Sequence, residues 1–425
     1  MILQKCRASP VASSGTISAK GTPVWSYGFA HGGKTLFWTV SDLYFAFFMT
    51  EVCGLPPLHT GMVVGGSLLF AAVADLALVR LLSTSMAGRD PIRLQLVGAV
   101  ASAGALMLFA SIAFLPLPFR LAGAVLTLLG FRATYAFVDV PQNALLSLAA
   151  VDDLERRRLT MSRNVAGGAA RVLLAFAFVP IMARQAPAES ASLFLSLVIA
   201  LSVLMIAGAS FLTRSVGARP QRAGSPVRDR RPLEGVWTLT AMMGVMTLAT
   251  TVFGQLEPYL ASYGMGGRLS ATAFMGLVAV GGAASQPGWL KASSRLTAST
   301  LLGISMAVML AGSSALILLD RTSLPGALVI ALLYGIGSGG VLFTLWSGIA
   351  GRASEGNALA VLGRFTAFAK TAQGIAVLLV GAALDTRIDR TDGQMVSSLM
   401  VVATVIGVIV VTGLLVIRRG QLFRT

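Results

Sequence analysis

Thr213-Arg-Ser-Val-Gly-Ala-Arg-Pro-Gln-Arg-Ala-Gly-Ser-Pro-Val-Arg-Asp-Arg-Arg-Pro-Leu-Glu-Gly235 is the longest internal hydrophilic run in a chain that is otherwise apolar. It holds Arg214, Arg219, Arg222, Arg228, Arg230 and Arg231 and divides the sequence into nearly equal parts. Working outward, breaks at Gly, Pro and charged clusters bound six apolar segments before it, near 34–52, 58–83, 93–115, 119–148, 164–183 and 191–213. Six more follow it, near 236–257, 269–288, 297–319, 325–349, 357–384 and 395–417. A run of about 20 apolar residues crosses a bilayer core of about 30 Å as a helix. The spacing therefore predicts an all-α polytopic membrane protein with twelve transmembrane helices in two six-helix halves, 34–213 and 236–417. A polar segment 1–33, an arginine-rich linker 214–235 and a tail 418–425 complete the chain.

Composition agrees. Of 425 residues, 55% are hydrophobic and 12% are charged, and mean hydropathy is +0.79. Soluble domains carry about a quarter charged residues, so this chain has too few to coat a water-facing surface. The net charge of +16 comes from Lys and Arg in the breaks between apolar runs rather than along one basic face, which argues against nucleic acid as a partner. Cys6 and Cys53 are too isolated for a disulfide framework, and His31 and His59 are too few for a metal centre, so neither a metal nor another cofactor is expected. The polar first twenty residues lack the apolar core of a cleavable signal.

Lys and Arg in short loops mark the cytoplasmic side. Lys5, Arg7, Lys20, Arg89, Arg156, Arg157, Arg158, Lys291, Arg295, Arg352, Arg418, Arg419 and Arg424 all fall on one side of the twelve-helix reading. The opposite loops hold few, such as Arg184, Arg321, Arg387 and Arg390. Both termini are expected in the cytoplasm, with the chain in a bacterial-type inner membrane.

A charge at the bilayer centre costs about 2.5–3.5 kcal/mol on insertion scales, so one that persists there faces a cavity or a partner. Asp42, Asp75, Arg132, Asp139, Arg171, Arg364 and Lys370 lie inside predicted spans, and Arg163 stands at the entry to the fifth. Acids concentrate in the first half and Lys370 lies in the second, so pairs across a central cavity are expected to act as a gate. Arg132 and Asp139 are two turns apart and share a face with Asn143, beside the helix-loosening Pro141. Gln373 shares a face with Lys370 one turn away. Asp75 has no polar neighbour within a turn and is expected to meet a group on another helix; as an isolated carboxylate it suits proton carriage, with Asp42 as a second candidate. Arg132 and Arg364 are read as gating or structural charges. No base or metal-binding cluster beyond Asp152-Asp153 favours an enzyme.

Several segments resemble the glycoside–pentoside–hexuronide:cation symporter branch of the major facilitator superfamily. They are Tyr27-Gly-Phe-Ala-His-Gly-Gly-Lys34, Phe48-Met-Thr-Glu-Val-Cys-Gly-Leu-Pro-Pro57, Tyr135-Ala-Phe-Val-Asp-Val-Pro-Gln-Asn-Ala-Leu145 with Glu155-Arg-Arg-Arg-Leu159 and Arg163, and Lys370 in the eleventh span. The resemblance implies the major facilitator fold, a symporter, Asp139 and Arg163 in the solute site and Lys370 in its cavity; helical spacing adds Asn143 and Gln373 as substrate-binding candidates beside them. The resemblance also implies Asp75 as the cation-site carboxylate. Ala71 and Ala74 replace polar positions of sodium-coupled members, which leaves a hard-oxygen Na+ site short of ligands and favours H+ over Na+ as coupling ion. The partners expected are a small polar or glycoside-like solute and the lipid bilayer. An exporter of an amphiphilic compound and a non-transporting assembly or sensor protein are the alternatives, and oligomeric state is not legible.

Overall fold

The computed structural model describes residues 24–84, 91–150, 152–182, 187–217, 235–260, 264–265, 270–354, 357–386 and 392–417, and among these there is no strand. Residues 1–23, most of the linker (218–234) and the tail 418–425 lie outside the described residues, as do Arg89, Arg184, Arg387 and Arg390. Among the described residues, twelve principal helices overlap the twelve predicted spans one for one. They are α1 (Val24–Leu43), α2 (Pro57–Thr84), α3 (Pro91–Ala110), α4 (Leu117–Leu148), α5 (Asp153–Met182), α6 (Pro187–Gly217), α7 (Val236–Tyr259), α8 (Ala271–Ala284), α9 (Ala298–Leu318), α10 (Leu324–Arg352), α11 (Ala358–Thr386) and α12 (Gly393–Ile417).

By length and composition nine of these, all but α1, α5 and α8, can cross a membrane. The exceptions have local causes. α1 carries His31, Lys34 and Asp42 and is continued by the turn Phe45–Phe47 and a π-helical turn Phe48–Val52. α5 carries Arg156, Arg157, Arg158, Arg163 and Arg171. α8 breaks at Ser285, before Pro287, and resumes as Gln286–Ser293. The Gln286 amide bridges that break by donating to the carbonyls of Gly282 (2.8 Å) and Gly339 (3.1 Å).

Two of these helices start earlier than the sequence reading has them. α1 begins at Val24, ten residues before the expected 34, so the polar segment placed at 1–33 ends inside a helix and Lys34 stands mid-helix. α5 begins at Asp153, not 164, so Arg163 sits a third of the way along it rather than at its entry. Asp153 and Glu155 in the first turn of α5 suit the positive end of a helix dipole.

Lipid tails are as apolar as leucine, so packing inside a bilayer comes from close approach and van der Waals contact rather than from hydrophobic burial. Stacked rings supply it among the first six helices: Phe45 lies 4.1 Å from Phe109, and Phe48 lies 4.1 Å from Phe194, centroid to centroid. Glycine supplies it between α8 and α10, where a Cβ on Gly339 would come within 2.9 Å of Gly282 Cα.

Within the first six helices α1 packs on α5 and α6, α3 on α4 and α6, and α2 on α4; within the last six, α7 packs on α11 and α12, and α10 on α8 and α9. The two sets meet along α2 with α11, α4 with α11, and α5 with α8 and α10. Hydrogen bonds close the seam at the arginine-rich end. There Ser147 Oγ donates to the Ala353 carbonyl (2.7 Å), Asn164 Nδ2 to Gln286 Oε1 (3.0 Å), and the Arg157 guanidinium to the Ser293 carbonyl.

Candidate functional site

Three helices direct polar stripes to the centre of the bundle. On α1, Tyr27, His31, Lys34, Trp38 and Ser41 recur every three or four residues, as do Arg132, Tyr135, Asp139 and Asn143 on α4, and Thr366, Lys370 and Gln373 on α11. α2 adds Asp75, fully enclosed at 0% exposure.

The stripes converge on an alternating chain of charges. Lys34 Nζ donates to Asp139 Oδ1 (3.0 Å) and to Asn143 Oδ1 (2.8 Å), while Asn143 Nδ2 donates to the same Asp139 Oδ1 (2.8 Å). Lys370 Nζ lies 2.7 Å from the other Asp139 oxygen and donates to Asp75 Oδ1 (2.8 Å) and Oδ2 (2.7 Å). An ammonium has three donors, so these three carboxylate oxygens saturate Lys370. Thr366 Oγ1 completes Asp75 at 3.2 Å. The Trp38 and Tyr135 rings flank the Lys370 ammonium at 5.1 and 5.5 Å, and the Tyr135 hydroxyl fixes α4 to α1 by donating to the Lys34 carbonyl (3.1 Å). Such charges persist in a low-dielectric interior because each is paired and hydrogen-bonded.

The structure brings together Asp75, Asp139, Asn143 and Lys370 in this chain. Gln373 and Asp42 form a second contact, Gln373 Nε2 donating to Asp42 Oδ1 at 2.7 Å, again between α11 and α1. Arg163 lies apart: its guanidinium stacks on the Trp346 ring of α10 at 3.3 Å, and its Nε is buried without a partner.

The face shared by Arg132 and Asp139 does not make them a pair. Arg132 donates instead to Ser41 Oγ (2.9 Å) and Ser67 Oγ (3.3 Å) and lies over Trp38, because Asp139 is already taken by two lysines. Arg364 does not join the central cluster. It is exposed on α11 with its guanidinium 6.0 Å from the Trp237 ring, the posture of a side chain reaching along the outer surface.

Lys34, His31 and Glu257 are functional candidates that the reading of spans passed over. The spacing of Tyr27, His31, Lys34 and Trp38 carried the signal, since only a helix starting before Lys34 aligns them. Glu257 is the last residue of the predicted span 236–257, yet it is 6% exposed in α7, with exposed Arg171 as its electrostatic neighbour. Arg171 also interacts with Asp42.

A protein-family model described as MFS/sugar transport protein matches residues 26–422. Among solved structures, the chain is similar to a bacterial homologue of the iron transporter ferroportin in an outward-facing state, with 15% identity and a TM-score of 0.66, over 92% of this chain and 98% of that one. It is also similar to the human organic anion transporter MFSD10 (TETRAN), with 15% identity and a TM-score of 0.60, over 91% and 98% of the two chains. At these identities the likeness establishes the fold. No curated protein matches.

Proposed function

From the premise that this chain belongs to the MFS/sugar transport protein family, we propose that it is a proton-coupled secondary transporter moving a small polar solute by alternating access. The observation that carries the reading is Lys370, held by Asp75 and Asp139. Asp75 and Asp139 belong to the first six helices and Lys370 to the last six, so this ion-pair set spans the seam about which facilitator-type halves rock. A proton taken up by Asp75 neutralises one of the two carboxylates that hold Lys370. The α2–α11 contact weakens, and Lys370 and Asp139 are left to a solute. Loss of the proton restores the pair. Coupling follows because the same carboxylate serves the proton and the seam.

Asp139, Asn143, Lys34 and Lys370 form the polar floor on which the solute rests, with Trp38 and Tyr135 as its apolar wall. Gln373 and Asp42 extend the floor by one turn of α11. Arg132 supports it through Ser41 and Ser67. The hydrogen-bonded seam at the arginine-rich end supports a conformer shut on that side, which on the loop charges we take as the cytoplasmic side of a bacterial-type inner membrane. Ala71 and Ala74 beside Asp75 offer no side-chain oxygen ligands for Na+, which favours the proton.

The test is solute-driven proton movement in proteoliposomes carrying an internal pH dye. A transported solute added outside acidifies the lumen if the reading holds. Uptake that leaves luminal pH unchanged and follows an imposed Na+ gradient overturns the coupling.

A further inference from the structure

We infer that the solute carries an oxyanion group, a carboxylate or a phosphate, and that this group docks on Arg163. The inference rests on the transporter reading above and names its substrate class.

Charge comes first. Four cations, Lys34, Arg132, Arg163 and Lys370, face three carboxylates, Asp42, Asp75 and Asp139, around the centre of the bundle. The carboxylates are occupied. Asp139 accepts from Lys34, Lys370 and Asn143, Asp75 from Lys370 and Thr366, and Asp42 from Gln373 with Arg171 and Arg132 close enough to interact. Arg163 feels the charge of Asp139 but is the cation that no described carboxylate contacts. No hydrogen bond joins it to any described residue, and its Nε is buried and unpaired.

Orientation comes second. Trp346 covers one face of the guanidinium at 3.3 Å, and Phe365 packs edge-on against Trp346 with centroids 4.8 Å apart, so the indole is itself held. With that face stacked, the in-plane edge carries the free donors, and a planar fork of that kind matches the two oxygens of a carboxylate or phosphate.

The surroundings come third. His31 Nδ1 and Gln142 Oε1 are buried and face each other without a well-formed hydrogen bond, and His31 lies near enough to both Arg163 and Lys34 to feel their charge. Tyr27 stacks on His31 and reaches the Gln142 carbonyl only at 3.4 Å. A buried donor left unmade costs about 1–3 kcal/mol, so the unpaired Arg163 Nε, beside the loosely met His31 and Gln142, marks a corner that a ligand completes. An oxyanion accepts from Arg163, and a hydroxyl or amide hydrogen next to it donates to Gln142 Oε1.

The experiment uses the full chain in nanodiscs of zwitterionic lipid, so that no anionic headgroup competes. Thermal stability and tryptophan fluorescence are followed against lactate, benzoate and inorganic phosphate, with lactamide and benzamide as uncharged matches at equal ionic strength. At least one anion is expected to stabilise the protein at a concentration about tenfold below its uncharged match. Arg163→Gln is expected to remove that preference, Arg163→Lys to keep part of it, and Trp346→Phe to remove the fluorescence response while stabilisation persists. Equal effects of anions and amides, no effect of any anion, or an anion preference that survives in Arg163→Gln overturns the inference. The anion-against-amide comparison in the unmodified protein stands even where a variant fails to fold. Counterflow of a neutral solute that these anions do not inhibit sinks the substrate class and leaves the transporter reading intact, whereas absence of flux for every solute sinks that reading itself.

Discussion

Lys370 donates to both carboxylate oxygens of Asp75, at 2.8 and 2.7 Å, between a helix of the last six and one of the first six. The two residues are 295 positions apart in sequence and almost completely enclosed. This contact joins the fold to the proposed chemistry, and it also makes the thermodynamics testable.

Removing one partner of a buried ion pair leaves the other charge uncompensated, which costs about 3–5 kcal/mol. Lys370→Ala is therefore expected to destabilise the protein by about that amount in thermal or denaturant unfolding. Adding Asp75→Asn to Lys370→Ala is expected to recover part of the loss, because the stranded carboxylate becomes neutral. A double variant as unstable as the sum of the two single ones would mean that the pair is not coupled.

A Cβ on Gly168 of α5 would lie 2.6 Å from the Ala283 Cβ of α8 and 3.0 Å from the Ala279 carbonyl. Gly168→Val is thus expected to hold the arginine-rich end apart and favour the conformer closed at the other end. Spin labels on Leu154 and Leu296, both exposed at that end, report the change as a longer inter-label distance. An unchanged distance distribution counts against closure through α5 and α8.

Glu257 is a buried carboxylate with no hydrogen bond to a described residue, and its electrostatic neighbour Arg171 is exposed. Replacing it with the neutral isostere removes a desolvated carboxyl group and little else. Glu257→Gln is expected to leave thermal stability within about 1 kcal/mol of the parent or to raise it. A loss of more than about 2 kcal/mol would show that Glu257 has a strong partner after all.

Much of this arrangement was legible from the cost of burial. Asp75 and Lys370 sit where a charge is expensive, Asp75 has no polar neighbour within a turn of its own helix and Lys370 has no acid within a turn of its own, and they meet each other. The helices α2, α3, α4, α6, α7 and α9 to α12 were legible from apolar length alone, since they carry few charges. Where function loads a helix with polar groups, that signal fails. The glycines and Lys34 hid the start of α1, and Arg156, Arg157 and Arg158 hid the start of α5, so Lys34 looked like a terminal charge and Arg163 like an entry residue. Helical periodicity correctly put Arg132 and Asp139 on one face, but it says nothing about competitors from other helices, and Lys34 and Lys370 claim Asp139 first. Trp346, which holds Arg163, comes from the far half of the chain and left no local sign.

The most direct measurement is accumulation of a transported solute in proteoliposomes under an imposed pH gradient, compared between the parent and Asp75→Asn. If Asp75 carries the proton, the parent concentrates the solute while Asp75→Asn only equilibrates it and still exchanges labelled for unlabelled solute. Accumulation in Asp75→Asn at the parent level would contradict the account.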